Sequence, residues 1–429
     1  MKVGIYTLGC KVNTYESEYV TKCLKEANYE IADFDDVCDI YIINTCTVTN
    51  TSDIKSRKII RQAKRRNPNA CVIAMGCYIQ KLAKDNQPII DEVDIAIGNK
   101  DKSKIVSLIE GYFQNKHKID IVKNNPIMEF ENMFLDKYLS RTRAFVKIQD
   151  GCENFCSYCV IPYVRGKCRS KDFNTCLNEI KTLVNNGFKE IVLTGIHTGN
   201  YGRDLNTNFA ELLQEIVKIK DLKRIRISSI EITELTTEVL EVIKNNDIIV
   251  DHLHIPIQAA SNEVLKIMNR KYDIDYFIRK ITEIRKIRPD ISITTDIIVG
   301  HPGEDDTIFN NSINTLKEIN FSKLHVFPYS KRDGTVSASL PQIDESIKKE
   351  RAHRLLALSK EFEINYMQKF LNQELEVLFE RNLDNYSVGH TSNYLQIKVK
   401  DTVPSGEFRN VKLEKIEYPY IIGTLVKEV

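Results

Sequence analysis

Short apolar runs alternate with amphipathic stretches in two separate series along this chain of 429 residues, and that rhythm restricts the fold more than any other feature. Val3–Leu8, Ile40–Asn44, Cys71–Met75 and Asp94–Ile97 read as strands, and their apolar character suits strands covered on both faces. Helical patterns separate them. One opens at Asn13, with Glu16 completing a capping box, and runs to about Glu26; another covers Ile54–Arg66. Strand–helix alternation of this kind predicts an α/β domain over residues 1–113, built on a doubly wound parallel sheet. Residues 114–138 lose the rhythm, are rich in Asn, Lys and Asp, and read as a linker.

The second series occupies residues 139–366. Strands are expected at Phe145–Gln149, Ile191–Thr194, Arg224–Ser228, His252–Ile257, Ile291–Ile298 and Lys323–Pro328, with helices such as Asp172–Asn186 and Asp305–Ile319 between them. About six βα units are too few for a closed eight-fold barrel, so an open, partial (β/α)6 barrel is predicted. A long helix follows from about Glu345 to Lys369. Residues 367–429 change to short β-prone runs, Glu374–Phe379, Tyr394–Val399, Arg409–Ile416 and Gly423–Val426, which predict a small β-barrel.

The chain opens without a charged segment leading into a long apolar one, and no run reaches the ~18 apolar residues of a membrane span. A soluble, cytoplasmic protein with no membrane partner is expected. A net charge of only +2 does not announce a nucleic-acid partner, so any such partner needs a local patch. One candidate is Lys55–Arg66, with seven basic residues and no acid. On a helix, Arg57, Arg61, Lys64 and Arg65 share a face suited to phosphates, against the alternative of a merely solvated face. The last 63 residues hold eight Lys/Arg against nine Asp/Glu, so no broad basic platform is expected there.

Eleven cysteines is a high count for a chain expected in a reducing compartment. Cys152, Cys156 and Cys159 follow a predicted strand at x3 and x2 spacing. Three thiolates so placed hold three corners of a cubane iron–sulfur cluster and leave the fourth iron open. Structural zinc, the rival, needs a fourth ligand. Cys10, Cys46 and Cys77 each fall just past a predicted strand. Parallel strands end on one sheet edge, so these three distant thiols can converge there; the alternative is three unrelated buried cysteines. Cys38 and Cys71 lie at the opposite edge, and Cys168 and Cys176 lie outside the motif.

The CxxxCxxC loop, with Tyr158 before its last cysteine, resembles the radical-SAM superfamily. That resemblance implies a [4Fe–4S] cluster whose open iron chelates the amino and carboxylate groups of S-adenosylmethionine, and reductive cleavage to a 5′-deoxyadenosyl radical. It also implies cofactor contacts at the strand ends: Thr194, Gly195, His197, Arg226, Ser228, Gln258, Val299 and Gly300. The runs Thr7–Ser17, Asn44–Val48, Gly76–Gln80, Ile161–Gly166, His254–Gln258, Thr295–Glu304 and Phe327–Thr335 resemble the radical-SAM methylthiotransferase family, and within it Gly9–Asn13 and Leu193–Gly199 look like the MtaB type. The likeness covers essentially the whole chain, including a C-terminal TRAM module that implies RNA binding through a patch such as Tyr394, Lys398 and Arg409. It implies a second [4Fe–4S] cluster on Cys10, Cys46 and Cys77. The implied reaction inserts a methylthio group at carbon 2 of N6-threonylcarbamoyladenosine 37 of tRNA, with an external electron donor and a sulfur source as partners. Close relatives act on N6-isopentenyladenosine tRNA or on a ribosomal-protein aspartate. A non-enzymatic iron–sulfur or RNA-binding protein is the reading from another class.

Overall fold

The computed structural model describes residues 1–122, 129–138 and 141–426. Part of the expected linker and the last three residues lie outside these. Six parallel strands form the first sheet, in the order Glu30–Ala32, Lys2–Thr7, Ile40–Thr45, Cys71–Gly76, Ile95–Ile97, Ile119–Asp120. The central strands are buried along their whole length, which is why they could be read as unbroken apolar runs. Both edge strands are too short to carry a pattern and were not expected. The last of them pairs with Ile95 and Ala96, so the first domain continues past residue 113 into the stretch assigned to the linker. Met133, Leu135 and Tyr138, also in that stretch, are buried in the core of the next domain.

The first helix is Lys11–Glu26, and Cys10, not Asn13, is its N-cap. The expected capping box is therefore absent. Asn13 donates instead to the carbonyls of Leu8 (2.7 Å) and Thr45 (3.0 Å), tying the helix start to two strand ends. Glu16 is fully buried.

In the central domain, six parallel strands fall into two three-stranded sheets: Arg143–Lys147, Glu190–Thr194 and Arg224–Ile227, then His252–His254, Ser292–Val299 and Lys323–Pro328. They adjoin through an Ile225–Ile249 bridge and the Ile230 amide, which donates to His254 O at 3.0 Å. The fourth strand is shorter than expected. Pro256 has no N–H for the ladder, and Gln258 turns the chain with a φ of 63°. The helix Glu345–Gln368 packs beside the last strand and crosses the expected boundary at 366.

Five strands close the C-terminal barrel: Glu374–Leu383, Tyr386–Thr391, Gln396–Val399, Phe408–Glu417 and Tyr420–Leu425. Tyr386–Thr391 was not expected, because it is polar and contains Gly389. That glycine is needed: a Cβ there would stand 2.2 Å from the Leu378 carbonyl oxygen.

Candidate active site

The loop from Gly151 to Cys159 is set by local contacts. Gly151 has a φ of +76°, and a Cβ would lie 1.9 Å from the Lys167 carbonyl oxygen, so only glycine fits. The Ser157 amide donates to Met268 O at 3.0 Å, fastening the loop to the fourth βα unit. Arg270 Nη1 donates to Cys156 Sγ at 3.3 Å. His197 Nδ1 lies 3.9 Å from Cys152 Sγ, with Glu234 against its other nitrogen. Burial pushes the Cys159 thiol up to about 12, with Cys156 adding to it. Burial also raises Cys156, against the opposing pull of Arg270. Thiols held this way need a cation to become ligands, and binding iron releases their protons.

The first-domain trio is assembled by topology. Cys10, Cys46 and Cys77 directly follow or lie just beyond the ends of three neighbouring strands. Gly9 and Gly76 precede two of them with φ of +101° and +97°. A Cβ on Gly9 would sit 3.1 Å from Cys46 Sγ, so glycine lets these two loops meet. Burial pushes Cys77 up to about 11; Arg165 opposes this, and nearby Cys46 and Cys10 reinforce it. Among the described residues, no three His, Cys, Asp or Glu side chains close around the position of one metal ion. Three thiols at a site are the donor set of an iron–sulfur cluster with one open corner, whereas structural zinc takes four protein ligands.

A buried seam of charge joins the two domains. Arg165, six residues past Cys159, is almost fully buried. Its Nε donates to Cys77 Sγ at 3.2 Å, Nη1 to Glu16 and Asp150 at 3.1 Å each, and Nη2 to Asn13 Oδ1 at 2.6 Å. Lys147 lies 3.0 Å from Glu16 and 2.7 Å from Asp150, and Lys102 is 3.4 Å from Glu16. Burial alone would raise the Glu16 carboxyl, but Arg165, Lys102 and Lys147 outweigh it and hold it far below the usual carboxylate range. Sequence reasoning missed these roles. The available signal was helical spacing: Val12, Glu16 and Val20 share a face, and a carboxylate inside an apolar stripe implies a buried partner.

All three domains border a cavity of about 540 Å³. Of the expected cofactor contacts, Thr194, Gly195, Arg226 and Ser228 line it, and His197 stands at Cys152 instead. Gln258, Val299 and Gly300 are not on its wall. Gln258 bonds through its backbone to Asp296 and Ile298, Val299 is fully buried in the core, and Gly300 turns with a φ of +70° against Lys348. Cys10 and Lys11 reach the cavity from the first domain, and Asn393, Tyr394 and Gln396 from the C-terminal barrel. The cavity leaves Lys11 accessible, yet the protein around it withdraws bulk water. Burial, then repulsion from Arg226 and Arg143, lowers its amine to about 8.

The expected RNA-facing groups are largely engaged within the chain. Tyr394 is stacked between His252 (4.8 Å) and His390 (4.7 Å), with Arg226 4.6 Å from its ring, and is still 36% exposed. On the basic helix, Arg57 donates to Tyr78 Oη at 3.1 Å, Arg61 pairs with Glu92 at 3.4 Å and Lys64 with Asp94 at 2.9 Å. Arg65 remains exposed.

Three thiols at the mouth of a parallel half-barrel are the arrangement of a radical SAM enzyme, and residues 146–316 match the radical SAM superfamily. Residues 2–98 match a family described as Uncharacterized protein family UPF0004. The threonylcarbamoyladenosine tRNA methylthiotransferase MtaB of Bacillus subtilis is 45% identical over 100% of this chain and 97% of its own length. Its namesake in Thermotoga maritima is 36% identical over 98% and 96%. A tRNA-2-methylthio-N(6)-dimethylallyladenosine synthase of Clostridium botulinum is 33% identical over 96% and 94%. Among solved structures, the radical S-adenosylmethionine methyltransferase TsrM from Kitasatospora setae shares the fold, with a TM-score of 0.57 at 12% identity over 79% of this chain and 77% of that one. The chain belongs to the radical SAM methylthiotransferase family. S-adenosylmethionine and iron–sulfur clusters are the cofactors of that chemistry.

Proposed function

We propose that this chain attaches a methylthio group to carbon 2 of N6-threonylcarbamoyladenosine 37 in tRNA. The observation that carries the reading is full-length identity of 45% to a protein named for that nucleoside, together with a cavity bordered by all three domains that Cys10 reaches. Cys152, Cys156 and Cys159 would hold one [4Fe–4S] cluster, and Cys10, Cys46 and Cys77 the other. When bound, these clusters supply the electron that splits S-adenosylmethionine and an iron site for the sulfur to be transferred. The protein's own residues do the rest. Arg270 and Arg165 donate to the sulfurs of Cys156 and Cys77, favouring the thiolate form at each site. Glu234 orients His197 toward Cys152. Thr194, Gly195, Arg226 and Ser228 shape the wall against which cofactor and base are held, while Gln258, Val299 and Gly300 fix the backbone of the adjoining strand ends. Arg165 ties the first domain to the second, so that the Cys77 end of one trio is held in a fixed place relative to the loop that follows the other.

An external electron donor, a sulfur source and tRNA are the partners of this reaction, and the cytoplasm is where they meet. No helix among the described residues is long and apolar enough to cross a membrane. Mass spectrometry of tRNA nucleosides from cells lacking the gene tests the reading. Loss of methylthiolated threonylcarbamoyladenosine is expected. Loss of the methylthiolated dimethylallyl or isopentenyl nucleoside in its place would move the assignment to a relative's substrate.

A further inference from the structure

The cavity is lined by nitrogen atoms that the protein leaves without partners. Arg226 and His252 are both more than nine-tenths buried, and Arg226 Nη2 and His252 Nδ1 make no hydrogen bond. Lys11 adds a third. Among the described residues its amine has neither hydrogen-bond nor ion-pair partner, although it lines the same cavity. Two carboxylates share this wall: Asp296 lies 3.3 Å from His254 and also acts on the Lys11 amine through its charge, and Glu363 lies 2.9 Å from Lys323. Glu190, behind the wall, is 2.9 Å from Arg226 Nε. Nitrogens without hydrogen-bond partners, two of them on cationic side chains, suit one chemical class of ligand, an anion with oxygen acceptors.

Two carboxylates belong to the proposed reaction, and this inference rests on that reading. One is the methionyl carboxylate of S-adenosylmethionine; the other is the threonyl carboxylate on N6 of the target adenosine. The lining separates them. Cys152, Cys156 and Cys159, where the methionyl group would be chelated, are not on the cavity wall, whereas Cys10 is. Lys11 follows Cys10 directly. In adenine, carbon 2 and N6 flank N1 on one edge of the ring, so a base whose carbon 2 faces Cys10 carries its N6 substituent beside it, toward the neighbouring part of the cavity wall. A dimethylallyl group at that position has no charge to offer.

We propose that Lys11, assisted by Arg226 and His252, is the specificity-determining residue that binds the threonyl carboxylate of the substrate. Arg226 and His252 supply neighbouring donors, and Lys11 supplies the charge that tells a carboxylate from an apolar substituent.

The test measures dissociation constants by fluorescence anisotropy for two anticodon stem-loops, one carrying N6-threonylcarbamoyladenosine at position 37 and one carrying its threonyl methyl ester. Wild-type, K11M and K11R proteins are compared, each reconstituted and matched for iron content and melting temperature. Wild type should prefer the acid over the ester by about 10- to 100-fold, the range for a charge-assisted hydrogen bond. K11M should bind both stem-loops alike, at the wild-type affinity for the ester, and K11R should restore part of the preference. Undiminished preference in K11M overturns the proposal. So does a loss of S-adenosylmethionine affinity in K11M with the preference intact, which would assign the carboxylate to the cofactor. Failure of the underlying reaction assignment looks different: wild type itself would leave the threonylcarbamoyl stem-loop unmodified and methylthiolate the dimethylallyl one.

Discussion

The two thiol trios are built in opposite ways. Cys152, Cys156 and Cys159 sit on one loop, held by Gly151 and a few short contacts, so their spacing survives as long as that loop does. Cys10, Cys46 and Cys77 come from three strand ends and meet only when the whole first sheet is in register. Even then Arg165, a residue of the other domain, completes their surroundings. A local site is a property of a motif; a distributed one is a property of the fold and its neighbour.

Removing each trio in turn gives the largest effect and the sharpest contrast. Replacing Cys152, Cys156 and Cys159 by Ala should abolish formation of 5′-deoxyadenosine and of product. Replacing Cys10, Cys46 and Cys77 should abolish methylthiolation but leave S-adenosylmethionine cleavage. Iron should fall from about eight to about four per chain in either case. Full product from the first-domain variant would break the division of labour.

Arg165→Gln probes the dependence of one trio on the other domain. It leaves Glu16 and Asp150 with one fewer buried cation, at a cost of about 3–5 kcal/mol. Denaturant unfolding should show this loss. Iron retention after reconstitution should fall at the first-domain site before the second, and equal loss from both would erase the contrast.

Acid should act on the same seam. The Glu16 carboxyl is depressed by its cations, so its contribution is complete above the ordinary value of 4.5 and drains away as pH falls below it. Melting temperatures measured downward from about pH 6 should therefore drop more steeply in wild type than in Glu16→Gln. Parallel curves would mean that the seam does not couple to pH through Glu16.

The smallest effect belongs to the basic helix. Arg65→Ala should weaken tRNA binding slightly and lower the salt slope by no more than about one, one phosphate contact's worth. Arg61→Ala should do less, because Arg61 is paired with Glu92.

What could be read from the chain follows the same division. The strands of both sheets and the x3, x2 cysteine spacing are local patterns, and they were legible. Convergence of Cys10, Cys46 and Cys77 was legible only because parallel strands share an edge. Asn13 and Glu16 were misread, because as a pair they imitate a capping box while their true partners, Leu8, Thr45 and Arg165, are elsewhere in the chain. Tyr394 is exposed, but nothing local says that two histidines will also stack on its ring. Glu30–Ala32 and Ile119–Asp120 had too few residues to show a period.

That stacked ring has a mechanical meaning. Tyr394 is gripped by an imidazole from each domain, and Arg224 reaches across to Glu376 and to the His390 carbonyl. The C-terminal barrel is thereby a stop bolted to the half-barrel, not an arm on a hinge. Any macromolecule resting on its outer face has its height above the cavity measured off by the protein, as a gauge block sets the depth of a cut.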